Sequence, residues 1–200
     1  MARLCRAAHF PAVGISSRIT PGDDGRHERQ SRGRGRPARP CDVGWKVVAT
    51  FYFVRHAKAG SRGHWQGDDR VRPLSKKGMK QAEGLIDVMK PFKISAIYSS
   101  PYLRCMQTVE PLAKDRELDI KKTPTLAEGR GLRGAYEFLD DPKLDNVVLS
   151  THGDLVWELV EDLVRRRVIK PGFGGYDKGS TWMVEVEDEK PVRARFIPAP

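Results

Sequence analysis

The sequence predicts an α/β fold in which helices flank a mostly parallel central sheet. Short runs of β-branched and aromatic residues alternate along the chain with stretches whose apolar residues recur at helical spacing. The runs at residues 47–54 (VVATFYFV) and 146–150 (NVVLS) contain no charged side chain. Uninterrupted apolar runs of this kind are typical of strands that helices cover on both faces. The chain shows no internal repeat.

Two helices and a second strand are expected after the first strand. Beyond a polar, Gly-rich loop, Ser75 is a suitable N-cap for a helix over residues 76–90, which Pro91 ends. A strand is expected over residues 94–98. A helix over about 102–115 follows, because Leu, Met and Val residues recur there on one face.

The remaining elements complete the alternation. A short strand is expected over residues 118–123, and residues 124–142 form an irregular, Gly-rich segment with one or two helical turns around 135–139. A helix over 154–168 follows the 146–150 run, and we expect its Trp157 to lie in the core. Two alternating segments, 181–186 and 193–197, are predicted to be paired edge strands.

The net charge of +10 is distributed unevenly along the 200 residues. Before Lys46 the chain has nine arginines against four acidic residues. Residues 1–45 are poor in large apolar side chains, so we expect a disordered basic tail before a single domain over residues 46–200. A transit peptide, a basic arm that binds polyanions and a start codon assigned too far upstream remain three open explanations of this tail.

Cysteine spacing and hydropathy constrain the environment of the protein. Cys5, Cys41 and Cys105 match no zinc or disulfide pattern, which favours a reducing cytoplasm, and we expect Cys105 to be a small buried residue. No stretch approaches the roughly 20 apolar residues of a membrane helix, so we expect a soluble protein with no membrane partner. The positive charge suits anionic ligands but does not by itself predict nucleic acid as a partner.

Charged or titratable residues follow three of the predicted strands. Arg55 and His56 come directly after the first strand, Arg104 opens the helix after the second, and His152 follows residues 146–150. In open α/β sheets, ligands bind beyond the carboxyl ends of the strands. Two guanidinium groups can hold a phosphoryl group from two sides, and two imidazoles add a nucleophile and a further donor. These residues predict a phosphate pocket that needs no metal ion.

Four segments occur in a characteristic order: VRHA at 54–57, PLSKKGMKQA at 73–82, SSPYLRCMQT at 99–108 and THG at 151–153. Together they resemble the histidine phosphatase superfamily, whose fold is called phosphoglycerate mutase-like. The run RHAKAGSR, with GDD and RPL, is most similar to the phosphohistidine phosphatases and to the phosphatase-like half of some actinobacterial Nudix-fused enzymes. The short segment before Asn146 implies minimal capping insertions, which argues against a phosphoglycerate mutase.

The resemblance implies roles for five residues. His56 would be the nucleophile that becomes phosphohistidine, while Arg55, Arg104 and His152 would bind the phosphoryl oxygens. Glu128 would be the general acid that protonates the leaving oxygen, and the alternative for it is a solvated loop residue. The resemblance implies no cofactor and no metal ion.

Three residues after the nucleophile are further candidates. Lys58, Ser61 and Arg62 stand in a loop that should border the pocket, where they would bind a second phosphate or an acidic group of the substrate. A plain surface loop is the alternative. Two aromatic residues would stack on a base, cover the cleft or simply pack: Trp65 and Tyr176.

We therefore expect a metal-independent phosphatase that hydrolyses a phosphate monoester or a phosphohistidine through a covalent phosphohistidine on His56. Its substrate would be a phosphorylated small molecule or a phosphoprotein. The alternative is a non-catalytic module that binds phosphate or polyanions with the same basic pocket and the Arg-rich arm. A histidine after each of two strands favours the enzyme, because binding alone does not require both imidazoles.

Overall fold

The structure, a computed structural model, describes residues 48–200, so the predictions for the tail at 1–45 lie outside the described residues. Six strands form one sheet in the order β3-β2-β4-β1-β5-β6. Strands β1 to β4 are mutually parallel, and β5 and β6 are antiparallel additions. Their bounds are β1 Val48–Arg55, β2 Ala96–Ser99, β3 Ile120–Lys122, β4 Val147–Thr151, β5 Thr181–Glu187 and β6 Lys190–Ile197. The predicted mostly parallel sheet is confirmed.

Four α-helices connect the strands: α1 Lys76–Met89, α2 Leu103–Asp115, α3 Gly131–Leu139 and α4 Gly153–Arg165. The predicted N-cap is confirmed, since the Ser75 hydroxyl accepts a hydrogen bond from the Gly78 backbone N–H. Short 3-10 helices lie at Arg62–His64, Asp69–Val71 and Pro124–Leu126. Among residues 48–200, no helix is long and apolar enough to cross a membrane.

The core lies on both faces of the sheet. Successive side chains of a strand point to opposite faces, so Phe51 and Phe53 pack with α3 and α4, whereas Tyr52 and Val54 pack with α1 and α2. All four of these β1 side chains are buried. The apolar run that suggested a strand covered on both faces is explained by these two layers of helices.

The segment 124–142 is more ordered than the sequence predicted. A nine-residue helix, α3, begins at Gly131 rather than around residue 135. Its glycines weaken the helical pattern in the sequence, but they allow the helix to pack closely. A Cβ at Gly134 would lie only 2.2 Å from the Thr125 carbonyl oxygen, so this close approach requires glycine.

Three further expectations are corrected. Strand β5 is not an edge strand, because it lies between β1 and β6 and gives β1 a partner on its second side. Helix α4 ends at Arg165, three residues before the predicted end. Trp157 is 49% exposed rather than in the core. It follows the buried Leu155 by two residues, which at 100° per residue places it away from the buried face.

Candidate active site

The sheet brings the two histidines to the same edge. Strands β1 and β4 are parallel neighbours with Arg55 opposite Thr151, so His56 and His152 each follow directly after this last pair. The His56 backbone N–H donates to the Thr151 carbonyl at 2.9 Å. The imidazole ring centroids lie 5.5 Å apart. Arg104 reaches this edge from the first turn of α2, which follows β2 on the other side of β4.

The His56 ring is held in one orientation. Its Nδ1 lies 2.8 Å from the Ala57 carbonyl oxygen. A carbonyl can only accept, so Nδ1 carries the proton and Nε2 keeps its lone pair. Burial lowers the pKa of His56 to about 3, assisted by the charges of His152, Arg104 and Arg55, although the bond to Ala57 acts in the opposite direction. His56 is therefore a neutral imidazole near pH 7, with a lone pair available for nucleophilic attack.

His152 takes the opposite tautomer. Its Nδ1 lies 3.3 Å from Arg104 Nη2, which can only donate, so Nδ1 accepts. Its Nε2 then donates to the Ser100 hydroxyl oxygen at 2.8 Å. Burial and the charge of Arg104 lower the pKa of His152 to about 4. The two rings thus present different atoms to the same pocket.

Arg104 is fully buried, and two carboxylates occupy its guanidinium group. Nη1 donates to the Asp69 Oδ2 at 2.9 Å and Nη2 to the Glu128 Oε2 at 2.8 Å. Arg62, on the exposed side, donates to Glu128 at 2.9 Å. These contacts form a network of ion pairs at the pocket, in which two cations, Arg62 and Arg104, contact two anions, Asp69 and Glu128.

Asp69 is a residue that sequence reasoning did not assign to the site. It also accepts from Arg72 Nε at 2.7 Å, and Arg72 Nη1 donates to the Gly60 carbonyl at 2.6 Å. Burial raises the pKa of Asp69, but the bond from Arg72 and the charges of Arg104, Arg72 and Arg62 outweigh it and lower the pKa to about 2. In the sequence, the GDD and RPL segments that contain Asp69 and Arg72 were noted only as parts of the family resemblance, which did not indicate this pairing.

Arg55 packs its guanidinium against the first residue of α4. A Cβ at Gly153 would lie 2.7 Å from Arg55 Nη2, so only glycine leaves room for this arrangement. Arg55 Nη1 donates to the Tyr176 carbonyl oxygen. Burial lowers the pKa of Arg55, against the charges of Asp177 and Asp154 that raise it. Half-exposed Tyr176 therefore contributes to the site through its backbone.

A cleft of about 500 Å³ contains most of the predicted site residues. Among its lining are Arg55, His56, His152, Glu128, Lys58, Ser61 and Arg62, all proposed from the sequence, and Arg72, Asp154 and Lys178, which were not. Trp65 instead lines an adjoining cleft of about 400 Å³ with Tyr102 and Asp69. The two clefts share Arg62 and Glu128.

Cys105 is buried as expected. Burial raises the pKa of its thiol to about 12, so the thiol stays protonated. Within the described part of the chain, no group of three or more His, Cys, Asp or Glu residues is placed to hold a metal ion.

The fold is that of a phosphoglycerate mutase-like domain, and its cleft contains two histidines. The family model of the histidine phosphatase superfamily (branch 1) matches residues 51–131. The resemblance to the histidine phosphatase superfamily that the four motifs predicted is confirmed.

One curated relative is the 8-oxo-(d)GTP phosphatase of Mycolicibacterium smegmatis. It is 34% identical over 169 residues, which cover 81% of this chain and 50% of that protein. The chain therefore spans about half the length of this relative.

Solved structures agree on the fold. The SixA protein from Agrobacterium tumefaciens superimposes with a TM-score of 0.59 at 21% identity, over 76% of this chain and 97% of that one. The protein histidine phosphatase SixA complexed with tungstate gives a TM-score of 0.60 at 21% identity, over 75% and 95%. The family match supports the predicted enzyme class, a phosphatase.

Proposed function

We propose that this chain hydrolyses a phosphate monoester or a phosphohistidine through a covalent phosphohistidine on His56. The observation that carries the proposal is the bond between His56 Nδ1 and the Ala57 carbonyl. It leaves Nε2 as a neutral nucleophile in a cleft lined by Arg55 and His152, and the buried Arg104 contacts His152 at 3.3 Å without itself lining the cleft. Phosphoryl transfer requires mainly positioning and positive charge, and this pocket supplies both.

The reaction has two steps. In the first, Glu128 takes a proton from solvent, the His56 Nε2 lone pair attacks phosphorus, and the bond from phosphorus to the leaving atom breaks. The leaving atom, which is the ester oxygen or, in a phosphohistidine substrate, the imidazole nitrogen, takes the proton from Glu128. In the second, water attacks the phosphohistidine, the P–N bond breaks, and Glu128 takes the proton that water loses. Arg55 and Arg104 hold the non-bridging oxygens throughout.

Glu128 has to leave its present partners to serve as the acid. Substrate oxygens and the Glu128 carboxylate compete for Arg104, because each is an anion that accepts from the same guanidinium. Substrate binding would free Glu128 from Arg104 beside the leaving oxygen. Its position in the lining of the same cleft supports this role.

The substrate class is a phosphorylated small molecule or a phosphoprotein. The curated relative acts on a nucleotide according to its name, which makes a nucleoside phosphate a reasonable first small molecule to assay. A cleft of about 500 Å³ is large enough for such a group.

The experiment is trapping of the phosphoenzyme. Wild type, His56→Ala and His64→Ala proteins are mixed with a radiolabelled phosphate donor and quenched within the first turnovers. His64 is exposed and lies outside the cleft, so it is a matched control. We expect acid-labile, base-stable label on wild type and His64→Ala alone. Absence of label and of turnover in wild type would favour a module that binds phosphate without reacting.

A further inference from the structure

Two lysines lie at the rim of the cleft on loops that are distant in sequence. Lys58 stands in the loop after β1, and Lys178 stands in the loop before β5. Both line the same cleft as His56 and His152. Both side chains belong to exposed residues, so their ammonium groups are accessible to a ligand.

Gln81, on α1, joins the two loops. Its Oε1 accepts from the Lys58 backbone N–H at 3.0 Å, and its Nε2 donates to the Lys178 carbonyl at 3.0 Å. One side-chain amide thus fixes the backbone of both lysines, using its acceptor for one and its donor for the other.

Further contacts fix each loop. A Cβ at Gly78 would lie 2.0 Å from the Lys58 carbonyl oxygen, so α1 packs too closely on that loop for any residue but glycine at this position. The Gly179 backbone N–H donates to the Arg55 carbonyl at 3.1 Å, and φ at Gly179 is +88°, a conformation that favours glycine. Lys178 is therefore held next to the residue that precedes the nucleophile.

Basic side chains outnumber acidic ones around these lysines, since the cleft lining contains Arg55, Lys58, Arg62, Arg72 and Lys178 against Glu128 and Asp154. No described carboxylate lies within 4.0 Å of either ammonium group, whereas Arg62, Arg72 and Arg104 each have a carboxylate partner. Burial lowers the pKa of Lys178, and the charges of Arg55, Arg72, Lys58 and Arg104 lower it further. An anion between the two lysines would relieve this repulsion.

We infer that Lys58 and Lys178 form a second anion subsite, held by Gln81, that binds a phosphate adjoining the one transferred to His56. The preferred substrate class is accordingly a diphosphate, whose terminal phosphate is removed, rather than a monophosphate. The inference rests on the proposed function and specifies the substrate of the same pocket.

The test compares ADP with AMP as substrates by release of inorganic phosphate. Wild type is expected to have the higher kcat/KM for ADP. Replacing Lys178→Met or Lys58→Met should lower the ADP-to-AMP ratio of kcat/KM by about 10- to 100-fold, the effect of losing a charge-assisted hydrogen bond. Lys178→Arg should restore most of the ratio. The control Lys190→Met, at the start of β6 beside the far end of β5, should leave the ratio unchanged.

A binding measurement separates this inference from the proposed function. Calorimetry on His56→Ala protein, with inorganic pyrophosphate and inorganic phosphate as ligands, does not depend on turnover. We expect tighter binding of pyrophosphate, and loss of that preference when Lys178→Met is added. An equal ratio in all variants, or equal binding of both ligands, would overturn the subsite. Failure of phosphoenzyme trapping with the pyrophosphate preference intact would overturn only the proposed reaction.

Discussion

Arg104 donates to Glu128 and to His152 with the same nitrogen, Nη2, at 2.8 Å to Oε2 and 3.3 Å to Nδ1. The buried guanidinium therefore links the proposed acid to the second histidine of the pocket. Any anion that enters between them has to compete with Glu128 for this nitrogen.

The substitution Glu128→Gln should lower kcat/KM most for substrates with poor leaving groups. A general acid contributes about 10²- to 10⁴-fold, and only where the leaving oxygen needs a proton. We expect a loss of this size for benzyl phosphate and a much smaller loss for 4-nitrophenyl phosphate, measured as kcat/KM. An equal loss for both esters would show that Glu128 acts in binding and not as the acid.

Replacing Asp69→Asn should destabilise the fold and weaken the pocket. The change removes a carboxylate partner from two buried guanidinium groups, those of Arg72 and Arg104, and Arg104 keeps Glu128 as its other partner. We expect the free energy of unfolding to fall by about 1–3 kcal/mol in urea titrations. Exposed Asp119 provides the control, since Asp119→Asn should leave stability at the wild-type value.

The Asp69 carboxyl group should also make the free energy of unfolding fall at acid pH. The pKa of Asp69 is about 2 in the folded protein, below the ordinary 3.8 of the unfolded chain. Its contribution is therefore fully present above pH 4 and is lost as pH falls toward 2. Urea titrations should show a smaller difference between wild type and Asp69→Asn at pH 2 than at pH 6. A constant difference would contradict this assignment.

The two histidines should make stability fall below neutral pH. Their pKa values are about 3 and about 4 in the folded protein, whereas an unfolded histidine titrates near 6.5. Between these values the unfolded chain takes up protons that the folded protein does not, so the free energy of unfolding decreases as pH falls from 6.5 toward 4. His152→Gln should reduce this slope, and the control His64→Gln, at an exposed position, should keep it.

Replacing Gly153→Ala should reduce activity by displacing Arg55. The added Cβ would lie 2.7 Å from Arg55 Nη2, so the guanidinium has to move. A displacement of about 1 Å at a reacting centre can cost about 100-fold in rate. The control is Gly63→Ala, where a Cβ meets only Ser61 Oγ at 4.0 Å. Equal kcat/KM values for the two variants would contradict the tight fit at Gly153.

The sequence predicted the place of a site residue well where that residue directly follows a strand or begins a helix. His56, Arg104 and His152 each follow or open an element with a strong apolar pattern, so the common rule for strand ends was enough to bring them together. Asp69 begins a three-residue 3-10 helix and Lys178 lies in a loop, and neither segment shows a periodic apolar pattern. Their positions depend on long-range contacts, such as the one from Gln81 to residue 178, that no local pattern encodes.

Two expectations about the helices, the start of α3 and the burial of Trp157, were wrong for local physical reasons. Glycines in α3 lower its helical propensity, yet Gly134 is needed for close packing on Thr125. The expectation that Trp157 lies in the core is wrong because membership of a helix that packs on the core does not bury all of its faces. The helical period, which places Trp157 about 200° from the buried Leu155, is the better guide.

The placement of β1 between β4 and β5 affects how the pocket arises during synthesis. The Arg55 backbone N–H bonds to the Ser180 carbonyl, and His56 bonds to Thr151, about 95 residues further along the chain than the nucleophile. A nascent chain that has exposed only its first helices therefore carries His56, the proposed nucleophile, without the strands that position its backbone. Because non-local pairing of this kind is slow, ribosome-bound intermediates should lack the assembled pocket until residues near Ser180 have emerged.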